Sequence, residues 1–299
     1  MFSMRHMAKR ALPVVSGSAG GLLAGLYLLR AQTTTVQMVS QLSPKVWAEL
    51  KLIAKEPISH NTAKYRFELP DKAASVGLPV ASAIQTGAHI GEVKDDGTVS
   101  MVTRPYTPIS PKGALGYFDL VVKDYPDGIM SSHISGLSVG DFLAVRGPFV
   151  KFDYQANFKK QIGMVAGGTG IAPMLQVLEE ILSNPEDKTK VSVLFANVTQ
   201  EDILLKERID ALAATHSNVK VTYVLDRPRS AWQGKSGFVT AEMLMDTMPP
   251  PSADSWILVC GPPPMMKAVS GPKAKDFTQG EVSGCLKELG YTPEHVFKL

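Results

Sequence analysis

A short segment, residues 104–110 (RPYTPIS), places a guanidinium, an aromatic ring and two aliphatic hydroxyl groups within seven residues. Proline fixes its own φ and favours extended geometry in the residue before it, so Arg104 and Thr107 are predicted to be extended. Alternation along such a strand puts Arg104, Tyr106 and Pro108 on one face. This face suits a ligand that carries both a phosphate and a flat ring. Taken alone, the segment also fits an edge strand with a surface arginine.

A second segment, residues 125–133 (YPDGIMSSH), predicts a turn that leads into a short helix. Backbone N–H groups at such a helix start form an anion site, and Arg104 could close its other side. The alternative is an ordinary turn in which Ser131 caps the helix. Both interpretations are compatible with the sequence alone.

A third segment, residues 166–174 (AGGTGIAPM), follows an apolar stretch and is rich in glycine. Glycines let the backbone approach a pyrophosphate, Thr169 adds a hydroxyl, and Pro173 suits the first turn of a helix. The segment lacks the G-x-G-x-x-G spacing and the acidic residue that follows it at the usual distance. The sequence therefore does not support a plain Rossmann dehydrogenase.

Two further strand ends carry candidate nucleotide ligands. Cys260 would lie over the crevice of the sheet beside Gly261, which leaves room for a ring, although a cysteine here also fits simple packing. We reject Cys260 as a nucleophile, because the sequence places no histidine base near it and has no hydrolase elbow. Asp226 could accept both ribose hydroxyls of adenosine and repel a 2′-phosphate, which favours NADH over NADPH. Arg227 and Arg229 leave open that a phosphate binds there instead.

The elements that must position these residues fall into two predicted domains. Residues 47–155 contain short alternating stretches between Pro and Gly turns, which predict an antiparallel β-barrel. The predicted strands are 47–54, 62–68, 89–93, 100–104, 117–123 and 142–146. Residues 78–88 are predicted to form a surface loop.

Residues 156–299 alternate between apolar strands and amphipathic helices, which predicts a parallel α/β sheet. Ligands of such sheets bind at the carboxyl ends of the strands, where the glycine-rich segment, Asp226 and Cys260 lie. The predicted strands are 161–166, 190–197, 220–225 and 255–259, and the predicted helices are 174–183, 204–215, 241–248 and 263–269.

Composition limits the function classes. The 299 residues carry a net charge of only +3, which does not indicate a nucleic-acid partner. Two cysteines without a CxxC pair or a Cys/His cluster argue against a zinc site or a disulfide framework. We therefore expect no metal site.

Residues 1–46 are predicted to form a targeting or anchor segment with a tether. Residues 1–48 contain no Asp or Glu, and basic residues precede an apolar run, residues 11–29, whose glycines make it a weak membrane span. A secretory signal, a membrane anchor and a mitochondrial targeting segment are all compatible with such a start. The lack of a disulfide framework disfavours secretion. We expect mitochondrial targeting with the segment retained as a membrane anchor, and a disordered tail is the alternative.

In chain order, RPYTPIS, YPDGIMS, GGTGIAPM and CGPPPMM resemble the motif series of the ferredoxin–NADP reductase superfamily. The series is most similar to the NADH–cytochrome b5 reductase family, in its mitochondrial, membrane-anchored branch, over residues 47–299. The resemblance implies an FAD-binding barrel and an NAD-binding domain. It implies a monomeric enzyme that passes a hydride from NADH to FAD and then single electrons to the haem of cytochrome b5. The alternative acceptor is a quinone or another haem protein.

The resemblance also implies roles for individual residues. Arg104 would hold the FAD pyrophosphate, Tyr106 would pack on the isoalloxazine, and Thr107 would bond near the reactive flavin nitrogen. Lys123 would reach the NADH phosphates, and Thr107, Lys123 and Cys260 are the expected catalytic residues. The remaining expected cofactor-binding residues are Pro105, Val121, Gly128, Met130, Ser131, Gly168, Thr169, Asp226, Cys260, Gly261 and Pro262.

Two departures from the family pattern weaken the expected contacts to FAD. Ile129 replaces a lysine of the pyrophosphate loop, and Ala172 replaces a hydroxyl-bearing residue after the glycine-rich segment. Each lost hydrogen bond could cost about 1 kcal/mol of FAD binding. An acidic electron acceptor would suit a lysine-bearing rim. The candidates for that rim are Lys45, Lys51, Lys151 and Lys159.

Overall fold

A computed structural model describes residues 41–299, in which two six-stranded sheets follow one another along the chain. The first sheet has the order β4-β3-β6-β1-β2-β5, and every pairing in it is antiparallel. Its elements are β1 (Ala48–Ser59), β2 (Thr62–Glu68), β3 (Ser82–Val93), β4 (Val99–Tyr106), β5 (Tyr117–Lys123), α1 (Ile129–Gly136) and β6 (Phe142–Val150).

Side-chain alternation explains why these strands close around one core. In β2, Tyr65 and Phe67 point inward and are buried, while Lys64, Arg66 and Glu68, which alternate with them, are partly exposed. Phe67 stacks on Phe118 of β5 with ring centroids 5.6 Å apart, a spacing typical of offset aromatic pairs. The predicted antiparallel barrel is confirmed.

The predicted surface loop at residues 78–88 is wrong in its second half, because β3 begins at Ser82. The strand lies between β4 and β6. Ile84 and Thr86, which point to the same side of it, are both fully buried. Ser82 and Ala83 are buried as well, so both faces of this stretch are covered. A strand covered on both faces has no alternating pattern, so hydrophobic alternation does not indicate a strand here.

The second sheet is parallel, with the order β10-β9-β8-β7-β11-β12. Apolar cores cover both of its faces, as the predicted α/β domain requires. Its elements are β7 (Gln161–Gly167), α2 (Ile171–Ser183), β8 (Lys190–Asn197), α3 (Lys206–Thr215), β9 (Val219–Leu225), β10 (Lys235–Ser236), α4 (Ala241–Thr247), β11 (Ser255–Cys260), α5 (Pro263–Val269), α6 (Gly284–Glu288) and β12 (Val296–Lys298).

The two sheets meet along the segment that follows β4. Ile109 of this segment is buried in the same core as α2 and β7. Gln176 of α2 donates from Nε2 to the Pro108 carbonyl oxygen at 3.1 Å. Arg208 of α3 donates from Nη1 to the Ile109 carbonyl oxygen at 2.6 Å. Side chains of the α/β half therefore fix the backbone directly after the RPYT residues of the barrel.

The predicted targeting segment lies largely outside the described residues. Within residues 41–299, no helix is both long and apolar enough to cross a bilayer. The predicted boundary near residue 155 falls between the end of β6 at Val150 and the start of β7 at Gln161.

Candidate functional site

The carboxyl ends of β7 and β11 face the end of β4 across a cavity of about 820 Å³, here called the larger cavity. This is the place where ligands of parallel sheets bind. Eight of the predicted site residues line it: Pro105, Tyr106, Thr107, Val121, Thr169, Cys260, Gly261 and Pro262.

A second cavity of about 630 Å³, here called the smaller cavity, adjoins the first and shares Tyr125, Gly167 and Pro262 with it. Lys123, Gly168 and Asp226 line the smaller cavity. The eight residues of the larger cavity and these three make eleven of the fifteen predicted site residues.

The glycine-rich segment after β7 closes tightly on β11 but leaves one position open. A Cβ at Gly170 would lie 2.2 Å from the Cys260 carbonyl oxygen, so only glycine fits there. Gly168 differs, because it has φ +52° and a Cβ built on it would meet no atom within 4 Å. Backbone without a side chain, facing a cavity, is the surface that a pyrophosphate or a flat ring needs. The residues present therefore fit a dinucleotide.

Lys123 lies at the end of β5 and crosses to the α/β half of the molecule. Its Nζ donates to Asp202 Oδ1 at 3.1 Å, and the two side chains are 15% and 5% exposed. Burial alone would raise the pKa of Asp202, but hydrogen bonds from Lys123 and Thr199 outweigh it and hold the pKa below its ordinary value. Lys123 is thus held by a buried carboxylate while it lines the smaller cavity.

Asn197 is a site residue that the sequence interpretation missed. It ends β8, lines the smaller cavity and is 8% exposed, yet neither side-chain amide atom has a hydrogen-bond partner among the described residues. A buried amide without a partner is costly, and such groups are found where a ligand or water completes them. The rule that selected Asp226, a polar residue at the carboxyl end of a strand, would also have selected Asn197.

Asp226 lies at the end of β9, as predicted, and lines the smaller cavity. The two nearby arginines both have carboxylate partners: Arg227 contacts Asp226 at 3.6 Å, and Arg229 contacts Glu201 at 2.5 Å. Both arginine side chains are about three-quarters exposed, so these ion pairs are screened by water. The choice between ribose hydroxyls and a phosphate stays a prediction.

Two groups of the larger cavity are held in their neutral forms. Burial raises the pKa of Cys260 to about 11, against the opposing effect of Lys273 and Lys151. Its thiol is therefore protonated at neutral pH, which agrees with our rejection of Cys260 as a nucleophile. Burial also raises the pKa of Tyr106 to about 12, so its ring is an uncharged surface beside Thr107.

Four predicted residues, Arg104, Gly128, Met130 and Ser131, line neither cavity. Arg104 is exposed, and in the described part of the chain it forms no ion pair and donates only to the Thr103 carbonyl oxygen, at 2.8 Å. Its guanidinium is therefore available for an anion. β4 is an edge strand of the sheet, so the two interpretations of this segment are compatible.

The helix start at Gly128 has no side-chain cap and no acidic residue in its first turn. Its N–H groups therefore suit an anion. Met130 is buried in the barrel core, so only its backbone could face a phosphate. The alternative interpretation, in which Ser131 caps the helix, is wrong, because Ser131 lies within α1 and its Oγ donates to the Gly128 carbonyl oxygen at 2.9 Å. A Cβ at Gly128 would lie 2.1 Å from that Oγ, so a larger residue here would displace the Ser131 hydroxyl.

Among the four candidate rim lysines, only Lys151 lines either cavity. Lys159 instead donates to the Ala253 carbonyl oxygen at 2.7 Å. The larger cavity is also lined by Lys273 and Phe277, and the smaller one by Phe238. These three residues lie in loops without a recognisable pattern, so no signal in the sequence could have found them.

Comparison with known protein families gives two matches in the order expected from the geometry. Residues 49–154 match the oxidoreductase FAD-binding domain, and residues 164–271 match the oxidoreductase NAD-binding domain. The first match covers the barrel and the second contains the glycine-rich segment, Asp226 and Cys260. The chain thus has the two domains that bind FAD and NADH.

Whole-chain relatives agree with these matches. An NADH-cytochrome b5 reductase-like protein of Arabidopsis thaliana is 50% identical over 273 residues, which are 91% of this chain and 82% of the relative. NADH-cytochrome b5 reductase 2 of Emericella nidulans is 44% identical over 301 residues, 97% of this chain and 92% of that protein. The crystal structure of the cytochrome b5 reductase domain of Ulva prolifera nitrate reductase superposes with a TM-score of 0.74 at 32% identity, covering 87% of this chain and 100% of that domain. With an FAD-binding barrel, an NAD-binding sheet and relatives of this similarity over nearly all its length, the chain belongs to the NADH–cytochrome b5 reductase family.

Proposed function

We propose that this protein transfers a hydride from NADH to FAD in the larger cavity and then passes single electrons to cytochrome b5. The observation that carries the proposal is the meeting of Pro105, Tyr106 and Thr107 with Thr169, Cys260 and Gly261 around one cavity. Residues from the FAD-binding and the NAD-binding halves line the same space there. The names of the relatives support cytochrome b5 as the acceptor.

Bound FAD supplies the chemistry, because a flavin accepts a hydride and releases electrons one at a time. The protein contributes binding and orientation. Tyr106 offers an uncharged ring, and Thr107 a hydroxyl, on the barrel side of the cavity. Cys260 and Gly261 form the opposite wall. The expectation that Gly261 leaves room for a ring is wrong, because a Cβ there would lie 2.3 Å from Met265 Cε, so the absent side chain makes room for Met265. Walls on both sides of the cavity would hold the nicotinamide and flavin rings close together and aligned for hydride transfer.

Charged groups outside the ring cavity hold the phosphates and the ribose. We assign Lys123 to the phosphates of NADH and Asp226 to the hydroxyls of its adenosine ribose, because both line the smaller cavity. We assign the exposed Arg104 and the uncapped start of α1 to the FAD pyrophosphate, because both are free to bind an anion. A 2′-phosphate beside Asp226 would be repelled, so NADH is the expected coenzyme.

The direct test uses the purified holoprotein. It should be yellow and should bleach on adding NADH without oxygen, and it should then reduce cytochrome b5. Steady-state rates with NADH and NADPH, each against cytochrome b5, ferricyanide and a soluble quinone, test the coenzyme and the acceptor together. Failure to bleach would contradict the hydride transfer, and a preference for NADPH would contradict the role of Asp226. Reduction of the quinone but not of cytochrome b5 would contradict cytochrome b5 as the acceptor.

Arg104→Ala tests the assignment of the FAD pyrophosphate. Because Arg104 is exposed and donates only to Thr103 within the described chain, its removal should change the free energy of unfolding by less than about 0.5 kcal/mol. Loss of a charge-assisted hydrogen bond should weaken FAD binding by about 1.5–3 kcal/mol, roughly 10- to 150-fold. Flavin content after dialysis measures this, and full retention of FAD would remove the assigned role.

For location and assembly, we propose a monomer attached to a mitochondrial membrane by residues 1–46. The support is the acid-free, basic and then apolar composition of the first 48 residues. Import of the full chain into isolated mitochondria, followed by carbonate extraction, should leave the protein in the membrane pellet only when residues 1–46 are present. Light scattering of the purified protein tests the monomer.

A further inference from the structure

Lys123 brings the only positive charge to the smaller cavity from the described part of the chain. It is the last residue of β5, and its backbone pairs with Thr62 of β2, so it belongs to the FAD-binding half. Asn197 and Asp226, which line the same cavity, belong to the NAD-binding half. A phosphate bound in this cavity therefore meets one cation, and that cation comes from the opposite half of the molecule.

A single carboxylate of the NAD-binding half holds this cation. Asp202 Oδ1 accepts from Lys123 Nζ at 3.1 Å, and Oδ2 accepts from the backbone N–H and the hydroxyl of Thr199 at 3.1 and 2.9 Å. The contacts between Thr199 and Asp202 form a capping box over the short turn Gln200–Asp202. The Asp202 side chain is 5% exposed and lines neither cavity. Asp202 is thus fixed behind Lys123 and does not form part of the cavity wall.

The Lys123 ammonium keeps hydrogen-bond donors for a ligand. An ammonium group has three N–H donors, and within residues 41–299 the one hydrogen bond of this group goes to Asp202. A phosphate oxygen in the smaller cavity could accept from the remaining donors while Asp202 stays in place. A free lysine side chain loses rotamer freedom when it binds a ligand, whereas this one is already ordered. Such ordering raises affinity without adding a contact to the ligand.

The negative charge of Asp202 would also repel a bound phosphate, and the geometry decides which effect is larger. Of the two charged groups, only Lys123 lines the smaller cavity, so the ammonium lies nearer to a ligand there than the carboxylate does. The carboxylate is further offset by Lys123 itself and by the two donors of Thr199. We therefore expect the ordering of Lys123 to outweigh the repulsion.

We propose that Asp202 is a positioning residue for the nicotinamide coenzyme: it holds the Lys123 ammonium at the smaller cavity and thereby sets the affinity for the phosphates of NADH. This inference rests on the proposed function, in which Lys123 binds those phosphates. Because Asp202 and Lys123 come from different halves of the molecule, the cation is in place only when the two halves have their native arrangement. Asp202 acts on the coenzyme through Lys123 and not by direct contact.

The main variant, Asp202→Asn, keeps the shape of the side chain but cannot serve both of its partners. A carboxylate accepts at both oxygens, whereas an amide has one acceptor and one donor group. Lys123 and Thr199 present donors on opposite sides, so the asparagine NH2 group meets a donor in either orientation. The contact that fixes Lys123 is weakened in both cases. Asp202→Glu keeps two acceptor oxygens and should restore part of the lost affinity.

The affinity test uses the purified holoprotein. In Asp202→Asn, the Kd for NAD⁺, from titration of the oxidised protein, and the KM for NADH, with ferricyanide as acceptor, should both rise about 3- to 10-fold. The kcat should stay within about twofold of the wild-type value, because Asp202 lines neither cavity. Dihydronicotinamide riboside, which carries the ring without a phosphate, should have the same KM in both proteins. A lower Kd for NAD⁺ in the variant would show that repulsion dominates and would overturn the proposal.

Lys123→Met completes a double-mutant cycle with Asp202→Asn. Removal of the ammonium should itself raise the Kd for NAD⁺ about tenfold or more. Adding Asp202→Asn to Lys123→Met should change the Kd by less than about twofold, because Asp202 acts through the ammonium alone. If the full effect of Asp202→Asn persists without the ammonium, Asp202 acts by another route and the positioning role is wrong.

Asp119→Asn is the matched control for the loss of a buried ion pair. Asp119 pairs with Arg66 in the barrel, is 5% exposed like Asp202, and lines neither cavity. This variant should be destabilised to a similar degree in urea unfolding and should keep the wild-type Kd for NAD⁺. An equal rise of the Kd in both variants would assign the effect to lost stability and would contradict the positioning role.

The outcomes separate this inference from the proposed function. If the wild type bleaches with NADH and binds NAD⁺ but Asp202→Asn keeps the wild-type Kd, the positioning role is wrong and the proposed function stands. If the wild type binds NAD⁺ but does not bleach with NADH, the hydride transfer is wrong, while the comparison of Kd values still decides the role of Asp202.

Discussion

Gly168 offers a direct test of whether the glycine-rich segment is open because a ligand uses the space. Gly168→Ala adds a methyl group at a position with φ +52° where no protein atom lies within 4 Å. Its effect on folding is therefore confined to the backbone conformation, about 1 kcal/mol. A methyl group that projects into the path of a bound dinucleotide should cost a further 1–3 kcal/mol of binding, roughly 5- to 150-fold in Kd.

Gly97→Ala is the matched control for this substitution. Gly97 has φ +77°, no atom within 4 Å of an added Cβ, and a position in the turn between β3 and β4, away from both cavities. Both variants should lose about 1 kcal/mol of unfolding free energy, seen as a fall of roughly 2–4 °C in Tm. Only Gly168→Ala should weaken NAD⁺ binding, measured by titration of the oxidised holoprotein. Equal affinities in the two variants would refute the assignment of this backbone to the dinucleotide.

Three further predictions concern groups around the cavities. Asp202→Asn should cost about 2 kcal/mol at pH 7, since Lys123 loses its charged partner. Because the pKa of Asp202 is lowered in the folded protein, its carboxylate stabilises the fold at pH values above the ordinary aspartate pKa of 3.8, and this stabilisation is lost as the pH falls below that value. In urea unfolding, the difference in unfolding free energy between the wild type and Asp202→Asn should therefore be larger at pH 7 than at pH 3. Arg208→Leu should destabilise the protein by about 1.5–3 kcal/mol, because it removes both the hydrogen bond to the Ile109 carbonyl oxygen and the two-point ion pair with Glu179. Arg208→Lys should rescue this loss in part, measured by the same unfolding assay. Iodoacetamide should label Cys260 slowly at pH 7 and faster as the pH approaches 11, followed by mass spectrometry.

The parts of the fold that the sequence predicted are those with a one-sided burial pattern. β2 alternates between buried and half-buried residues and was found with its correct ends, 62–68. The first half of β3 is buried on both faces and has no alternation, so its sequence predicts a loop where the structure has a strand. The two-residue strand β10 and the three-residue strand β12 are too short to show any period.

The candidate site also contains residues that a sequence rule can predict and residues that it cannot. Asp226 and Cys260 were predicted because strand ends of a parallel sheet converge on one edge, and Asn197 obeys the same rule although it was missed. Lys273 and Phe277 could not be predicted, because a long-range contact holds their loop. The buried Lys298 that fixes it lies more than a dozen residues further along the chain and bonds to backbone carbonyls, which carry no sequence signal.

The segment 104–110 both lines the larger cavity and is hydrogen-bonded to the NAD-binding half. Tyr106 and Thr107 line the larger cavity from the barrel, while the next two carbonyl groups, of Pro108 and Ile109, accept hydrogen bonds from α2 and α3 of the NAD-binding half. Hydride transfer depends steeply on the distance and alignment of the reacting rings. Because the backbone that positions Tyr106 and Thr107 is fastened two residues later to the half that carries Thr169, the two walls of the cavity keep a fixed spacing. Loss of one of these two hydrogen bonds should therefore shift one wall of the cavity relative to the other while the barrel stays folded.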